Sequence, residues 1–218
     1  VCVEEIVPGT EVGGDAILID GRVAFIAITH KHLNKFVVTG HSLPTNISTN
    51  DQERVIANIE AICKALNYNT GPLNFDAIVN KKTVVMLEIS ARNGGNGIPS
   101  IIKRATGVDV EKAAIFLALG ENPTLSESCE AQKYVSSYVF GSTKKGLLKH
   151  ITPAEILIQD ISEIYDTFFA KKIGDPLAQF NHNGNFIGIV MFESDKPKNY
   201  ERLCEKIEDA LNLHIEGI

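Results

Sequence analysis

The chain has 218 residues, of which 44% are hydrophobic, and this length suits one large or two small domains with ordinary cores. The formal net charge of −6 argues against nucleic acid or an anionic membrane as the main partner. No segment approaches the roughly 20 consecutive apolar residues that a membrane-spanning helix needs. We therefore expect neither a nucleic acid nor a membrane among its partners.

Strand-like segments dominate the first part of the chain. Val1–Val7 is largely apolar and predicts an opening strand. Glu11–Ile19 and Arg22–His30 alternate in hydrophobicity on either side of Asp20-Gly21, a strong two-residue hairpin signal. Lys31–Leu43 is polar and irregular, which predicts a mobile loop over a site.

Helical periodicity appears next. Thr49 or Asn50 is expected to cap a helix over Asp51–Leu66, whose apolar residues form one stripe. A short helix is predicted at Pro99–Thr106, because proline is favoured at the first helical position. Asp109 is predicted to cap another helix at Val110–Leu119.

The polar, aperiodic segment Glu121–Gln132 predicts a connection between two domains, residues 1–123 and residues 124–218. The second domain is predicted to be a small α+β lobe with three strands and a final helix. These elements are Tyr134–Phe140, Glu163–Ala170, Phe186–Phe192 and Pro197–Leu211.

The pattern of cysteines indicates the cellular compartment in which the protein is expected. Four are scattered without a Cys-x-x-Cys pair, and two of them, Cys63 and Cys204, fall on apolar faces of predicted helices. The others are Cys2 and Cys129. This pattern is typical of reduced core cysteines and predicts a cytoplasmic protein. The sequence begins with Val1 and shows no signal-peptide pattern, so we interpret it as a fragment or a cut polypeptide.

The stretch from Asp76 to Asn96 has the features of a functional site. Its two alternating runs predict a hairpin that makes Asp76 and Glu88 neighbours on adjacent strands. Strand side chains repeat every two residues, so Glu88 and Ser90 share one side and Arg92 can follow. Two carboxylates, a hydroxyl and a guanidinium suit a site that holds magnesium and polyphosphate. A solvated sheet face is the alternative.

A glycine cluster, Gly94-Gly95-Asn96-Gly97, follows these residues. Because it precedes a predicted helix start, it favours an anion-binding loop. A single glycine cluster is weak support for such a loop, and its position in the chain is the stronger argument.

Several motifs occur in an order that resembles the C-terminal part of the ATP-grasp superfamily of carboxylate ligases. They cover about Val1 to Pro123, and the remainder more weakly resembles the C-terminal domain of the branch that includes L-amino acid ligases. The implied fold class is α+β: an ATP-grasp C-terminal subdomain, with an antiparallel sheet and helices, followed by a small α+β C-terminal lobe. The motifs are EEIVPGTEV, TGHSLP, GPLNFD, LEISARNGGNGIP and ATGVDVEKAAIFLALGE.

The resemblance implies nucleotide contacts near the start of the chain. Glu4, Glu5 and Ile6 match the hinge that reads adenine. Glu11 matches the acid that binds the ribose hydroxyls, and Lys31 is placed to approach the phosphates. A charged edge strand and a solvated lysine are the alternatives.

The resemblance also implies a metal site. Asp76 and Glu88 match the magnesium ligands, and Ser90 stands where the family usually has asparagine. Serine is the weaker ligand, so either a second ion binds less firmly or Asn93 substitutes. Arg92 matches the catalytic arginine that stabilises the γ-phosphate and the acyl phosphate. The implied cofactors are ATP and magnesium, or manganese.

The implied reaction is ATP-dependent ligation, in which a small-molecule carboxylate is activated as an acyl phosphate and captured by an amine. The family's N-terminal subdomains are expected as partners from the same protein, with room for a homodimer. We therefore expect this chain to hold half of a nucleotide cleft and to be inactive alone. Two alternatives stay open: a carboxylase, carbamoyl-phosphate or purine-pathway enzyme, and a non-catalytic regulatory module that binds nucleotide.

Overall fold

A computed structural model describes residues 3–125 and 134–217 of the chain. The described residues divide into two units, the first with residues 3–30 and 43–125 and the second with residues 31–42 and 134–217. Both units combine antiparallel strands with helices, so the predicted α+β class is confirmed. The domain boundary predicted after residue 123 stays a prediction, and the segment 31–42 groups with the second unit.

The elements up to residue 125 are five strands and three helices. They are β1 (Thr10–Ile19), β2 (Arg22–Asn34), β3 (Val37–Leu43), α1 (Thr49–Ala65), β4 (Gly71–Val79), β5 (Val84–Ser90), α2 (Ile98–Thr106) and α3 (Val110–Ala118). In the first unit the strand order is β5-β4-β1-β2, and each neighbouring pair is antiparallel. Strand β2 begins in the first unit, and its end belongs to the second.

Both predicted hairpins are present. The turn between β1 and β2 uses Asp20 and Gly21, which have positive φ angles of 51° and 78°. That conformation suits a two-residue hairpin, and glycine adopts it without steric cost. Between β4 and β5 the side chain of Asn80 accepts hydrogen bonds from the amides of Lys82 and Thr83. Both turns therefore fix the strand registers by local chemistry.

The two faces of β4 differ in polarity. Leu73 and Phe75 point to one face and are fully buried in a core that includes Val55 and Ile59 of α1. The alternate residues of the strand, from Pro72 to Ile78, are only half-buried. Because strand side chains alternate, packing α1 against one face turns the polar residues of β4 to the other.

The helix caps agree with the sequence in one case and differ in another. Asp109 caps α3 as predicted, accepting a hydrogen bond from the Lys112 amide at 2.9 Å. The cap of α1 is Ser48, so the prediction of Thr49 or Asn50 was wrong. Ser48 has the extended backbone that a cap requires and accepts from the Asp51 amide, whereas the two residues after it are already helical.

Two predictions for the strands were also wrong. Residues 3–7 form no strand, and Ile6 is 93% exposed. The segment Lys31–Leu43 is not a loop, because β2 continues to Asn34 and β3 begins at Val37. Polar residues of this segment are buried, among them Lys31 and His41. The His41 amide donates to the Ser137 hydroxyl, which lies 96 positions away, and hydrophobic alternation does not reveal such a partner.

The elements within residues 134–217 include six strands and two α-helices. These are β6 (Tyr134–Gly141), β7 (Gly146–His150), α4 (Ala154–Asp160), β8 (Ile164–Phe169), β9 (Pro176–Leu177), β10 (Phe186–Ser194), α5 (Tyr200–Leu211) and β11 (His214–Glu216). The second unit has a sheet in the order β3-β6-β10-β8 and a small sheet in the order β11-β7-β9. The three predicted strands and the final helix are confirmed, whereas β7, α4, β9 and β11, each seven residues or shorter, were missed.

The core of the second unit is built on α5. The helix buries the apolar stripe that its sequence predicted, which includes Leu203, Ile207 and Leu211. Cys63 and Cys204 are buried free thiols, as expected, whereas Cys2 and Cys129 lie outside the described residues. Burial raises the pKa of the Cys204 thiol to about 12, which keeps it protonated. No helix in the described parts of the chain is long and apolar enough to span a membrane.

Candidate functional site

The hairpin of β4 and β5 brings the two predicted metal-binding acids together. Asp76 lies directly opposite Glu88, and two residues along Asn74 lies opposite Ser90. Directly opposed residues in an antiparallel pair point to the same face, as do residues two apart on one strand. The four side chains therefore share the half-buried face, and the predicted proximity of the two acids is confirmed.

The hydroxyl of Ser90 donates a hydrogen bond to Glu88 Oε1 at 2.8 Å. This contact confirms that the two residues lie on the same side of β5. Glu88 is exposed, whereas Asp76 and Ser90 are half-buried. The hydrogen bond restrains the Glu88 carboxylate, and the residue stays exposed to solvent.

Strand β1 extends this arrangement. Asp15 lies opposite Asn74, and Gly13 lies opposite Asp76. Asp15 therefore joins the same face, while Gly13 leaves the position beside Asp76 without a side chain. We call this set of side chains the polar face. It consists of Asp15, Asn74, Asp76, Glu88 and Ser90.

Asp15 is fully buried, and sequence analysis did not identify it. Its Oδ1 accepts hydrogen bonds from the Gly94 amide at 2.8 Å and from Asn74 Nδ2 at 3.0 Å. Its Oδ2 accepts from Asn93 Nδ2 at 3.4 Å. Burial raises the pKa of Asp15 to about 6, although these donors and the charge of Arg92 act to lower it. An acid within the run GGDAILI was the available signal.

The glycine segment begins where β5 ends. The Arg92 amide donates to the Ser90 carbonyl at 2.9 Å, which turns the chain away from the strand. The exposed Arg92 side chain donates from Nη1 to the Asn93 carbonyl at 2.9 Å. Gly97 has a φ of 80° and caps α2 through its backbone alone. The predicted guanidinium therefore directly follows the polar face.

The predicted nucleotide residues are more scattered. Glu4, Glu5 and Ile6 are exposed and belong to no strand. Glu11 is half-buried on β1 opposite Ile78. Lys31 is buried on the part of β2 that groups with the second unit. The structure thus gathers the predicted metal ligands, and the roles of all these residues stay predictions.

The polar face suits a hard divalent cation. Carboxylate and hydroxyl oxygens are ligands that magnesium accepts, and the two acids are held on neighbouring strands. Within residues 3–125 and 134–217, no group of three or more His, Cys, Asp and Glu side chains is arranged to hold a metal. A cation between Asp76 and Glu88 would therefore complete its shell with Ser90, water or phosphate oxygens, which is usual for magnesium.

Comparison with known proteins supports the fold along nearly the whole chain and a family resemblance in its first part. Solved structures of other proteins share this fold over nearly the whole chain. Residues 1–100 match the family model described as an ATP-grasp domain. The resemblance inferred from the sequence motifs is confirmed.

Three relatives illustrate the match. An L-amino acid ligase from Bacillus licheniformis is 19% identical with a TM-score of 0.82, covering 98% of this chain and 53% of that one. A phosphoribosylglycinamide synthetase from Anaerococcus prevotii is 22% identical with a TM-score of 0.79, covering 97% and 55%. Carnosine synthase 1 from Gallus gallus is 28% identical over 124 residues, 56% of this chain and 13% of that protein. The chain thus spans about half the length of the two solved structures.

Proposed function

We propose that this chain is the C-terminal part of an ATP-dependent ligase that activates a carboxylate as an acyl phosphate for capture by an amine. The observation that carries the proposal is the direct pairing of Asp76 with Glu88 on the polar face. The match of residues 1–100 to an ATP-grasp domain model supports a nucleotide as the energy source. Partner subdomains from the same protein and a cytoplasmic location belong to the proposal.

In this proposal magnesium, or manganese, is held by Asp76 and Glu88, with Ser90 as a neutral third ligand. The metal would supply charge neutralisation for the transferring phosphoryl group. The chain's contribution is to hold the two acids at fixed strand positions and to restrain Glu88 through the Ser90 hydroxyl. A preorganised pair of ligands binds the ion without a further ordering cost.

Arg92 is the proposed catalytic residue. Its guanidinium is always charged and presents several donors in a fixed plane, which suits the oxygens of a γ-phosphate or an acyl phosphate. It follows the polar face directly and is exposed, so a phosphate can reach it. Glu4, Glu5, Ile6, Glu11 and Lys31 are the proposed contacts to the nucleotide itself.

An amino acid is the proposed carboxylate substrate. The support is similarity in fold to a protein named L-amino acid ligase and in sequence to one named carnosine synthase. A second candidate is an enzyme that activates bicarbonate, supported by sequence similarity to proteins named carbamoyl phosphate synthase large chain. Both candidates share the activation step, and they differ in the substrate that releases ADP.

The test is ADP release by the full-length protein, measured with ATP and magnesium across amino acids, dicarboxylates and bicarbonate, each with ammonia or an amine. Glu88→Gln keeps the shape of the side chain and removes its charge, so it should lower the rate by at least about 100-fold. Glu53→Gln is the matched control, because Glu53 is an exposed acid on α1.

Turnover with amino acids that Glu88→Gln abolishes and Glu53→Gln preserves would support the proposal. Turnover with bicarbonate alone would favour a carboxylase or carbamoyl-phosphate type of enzyme. Nucleotide binding without turnover of any carboxylate would favour the regulatory module and overturn the proposed activity.

A further inference from the structure

We propose that Asp15 is a positioning residue that holds the Asn93-Gly94 segment and thereby sets the place of Arg92 beside the two metal-binding acids. The inference rests on the proposed function for the role of Arg92. The contacts made by Asp15 itself are independent of that role.

The first step is the reach of the Asp15 carboxylate. Its two oxygens accept from three donors, which belong to Asn74 on β4 and to Asn93 and Gly94 after β5. Asp15 lies in the strand between β2 and β4, so its own backbone is fixed by strands on both sides. One buried carboxylate therefore ties the segment after β5 to the centre of the sheet.

The second step connects this contact to Arg92. The Arg92 side chain donates to the carbonyl of Asn93, whose side chain donates to Asp15. The Gly94 amide, which follows that carbonyl along the chain, also donates to Asp15. Asp15 therefore fixes the peptide that the Arg92 guanidinium contacts. Loss of these contacts would free both the peptide and the guanidinium that binds it.

The third step is the close approach of Gly94. A Cβ added at Gly94 would lie 2.6 Å from Asn74 Nδ2 and 2.8 Å from Asp15 Oδ1, closer than such atoms can approach. At the next residue, Gly95, an added Cβ would meet nothing within 4 Å. The segment is thus seated on Asp15 at Gly94 and is open at Gly95. At Gly217, which lies outside the proposed site, an added Cβ would also meet nothing within 4 Å. Gly94 and Gly217 therefore provide a matched pair of glycine substitutions.

The fourth step is the presence of the Asp15 carboxylate at a fully buried position. A fully buried carboxylate is costly, and an apolar residue would fill a strand interior at lower cost. Three N–H donors from two separate segments offset part of that cost. Fixing the geometry of an adjacent binding site is a function that an apolar residue at this position would not provide.

The experiment combines kinetics with hydrogen exchange in the full-length protein. Asp15→Ala removes the acceptors, and we expect kcat for ADP release to fall about 100-fold while KM for Mg-ATP changes less than about threefold. Asp15→Asn retains one oxygen acceptor and should recover most of the loss. Gly94→Ala should reproduce the defect of Asp15→Ala, whereas Gly217→Ala should behave like the wild type.

Hydrogen exchange gives a readout that does not need catalysis. In Asp15→Ala the peptide containing residues 91–98 should exchange at least about tenfold faster, because the Gly94 amide has lost its acceptor. Peptides from the centres of α1 and β4 should stay protected, which shows that the fold is intact. Unchanged exchange in residues 91–98 would overturn the inference.

The two proposals fail separately. If the wild type releases no ADP with any carboxylate, the proposed function fails and the exchange result alone decides whether Asp15 holds the segment. If the wild type is active and Asp15→Ala keeps kcat within about threefold, the inference fails while the proposed function stands. Equal losses in Gly94→Ala and Gly217→Ala would also contradict it.

Discussion

Asp15 combines full burial with a titratable group, so it links the stability of the first unit to pH. Burial raises its pKa from an ordinary value of 3.8 to about 6. Between these two pH values the folded chain keeps a proton that the unfolded chain has released. Folding therefore takes up a proton in this range, and this contribution to stability declines as the pH rises.

We predict that the contribution of Asp15 to the free energy of unfolding falls by on the order of 2–3 kcal/mol between about pH 4 and pH 7. This follows because a shift of one pKa unit corresponds to about 1.4 kcal/mol. Asp15→Asn removes the titration. The measurement is chemical denaturation of wild type and variant, followed by circular dichroism at both pH values. The difference between the two proteins should change with pH in favour of the variant at pH 7, and a constant difference would be contrary to this expectation.

The residues of the polar face were not equally predictable. Asp76 and Glu88 were found because alternation within one short hairpin fixes which side each faces. Asp15 was not found because its partners lie 59 to 79 positions away in the chain. Local pattern therefore revealed the acids, and only the fold revealed what holds the segment beside them.

At the scale of elements, helix α1 covers the apolar face of the sheet and so determines which face is left for function. Its start is set by Ser48, whose hydroxyl oxygen accepts from the Asp51 amide at 3.2 Å and which also contacts the Asp51 carboxylate. Such a cap satisfies a backbone donor that has no partner within the helix.

Ser48→Ala should destabilise the first unit by about 1 kcal/mol, because the Asp51 amide loses its acceptor. Thr49→Ala is the informative control, since the neighbouring threonine was a candidate cap and is already helical in the structure. It should change the free energy of unfolding by less than about 0.5 kcal/mol. Urea denaturation at constant pH measures both, and a larger loss in Thr49→Ala than in Ser48→Ala would place the cap at Thr49.

Strands β2 and β3 show the limit of sequence patterns for elements. Their ends are polar and suggested a loop, yet the side chains form a network within the second unit. His32 Nε2 is 2.7 Å from Ser42 Oγ, which is 2.8 Å from Ser136 Oγ. The His32 ring stacks on Tyr200 at 3.5 Å between centroids. Residues from β6 and α5 satisfy these polar groups, and no local signal predicts such partners.

At the scale of the whole molecule, the residues singled out from the sequence motifs divide between the two units. The proposed metal ligands and Arg92 belong to the first unit, whereas Lys31 groups with the second. The match to the ATP-grasp domain model covers residues 1–100, and the similarity in fold to solved structures extends to nearly the whole chain. The sequence motifs predicted the ATP-grasp resemblance, but the assignment of residues 31–42 to the second unit required the structure.

The central claim is that Asp76 and Glu88 hold the metal that accompanies a nucleotide. Calorimetric titration of ADP into the full-length protein, with and without magnesium, tests it most directly. Wild type and the Glu53→Gln control should bind ADP at least about tenfold more tightly with magnesium, a difference of about 1.4 kcal/mol. Asp76→Asn and Glu88→Gln should bind ADP equally with and without magnesium. Full magnesium enhancement in both variants would contradict the claim.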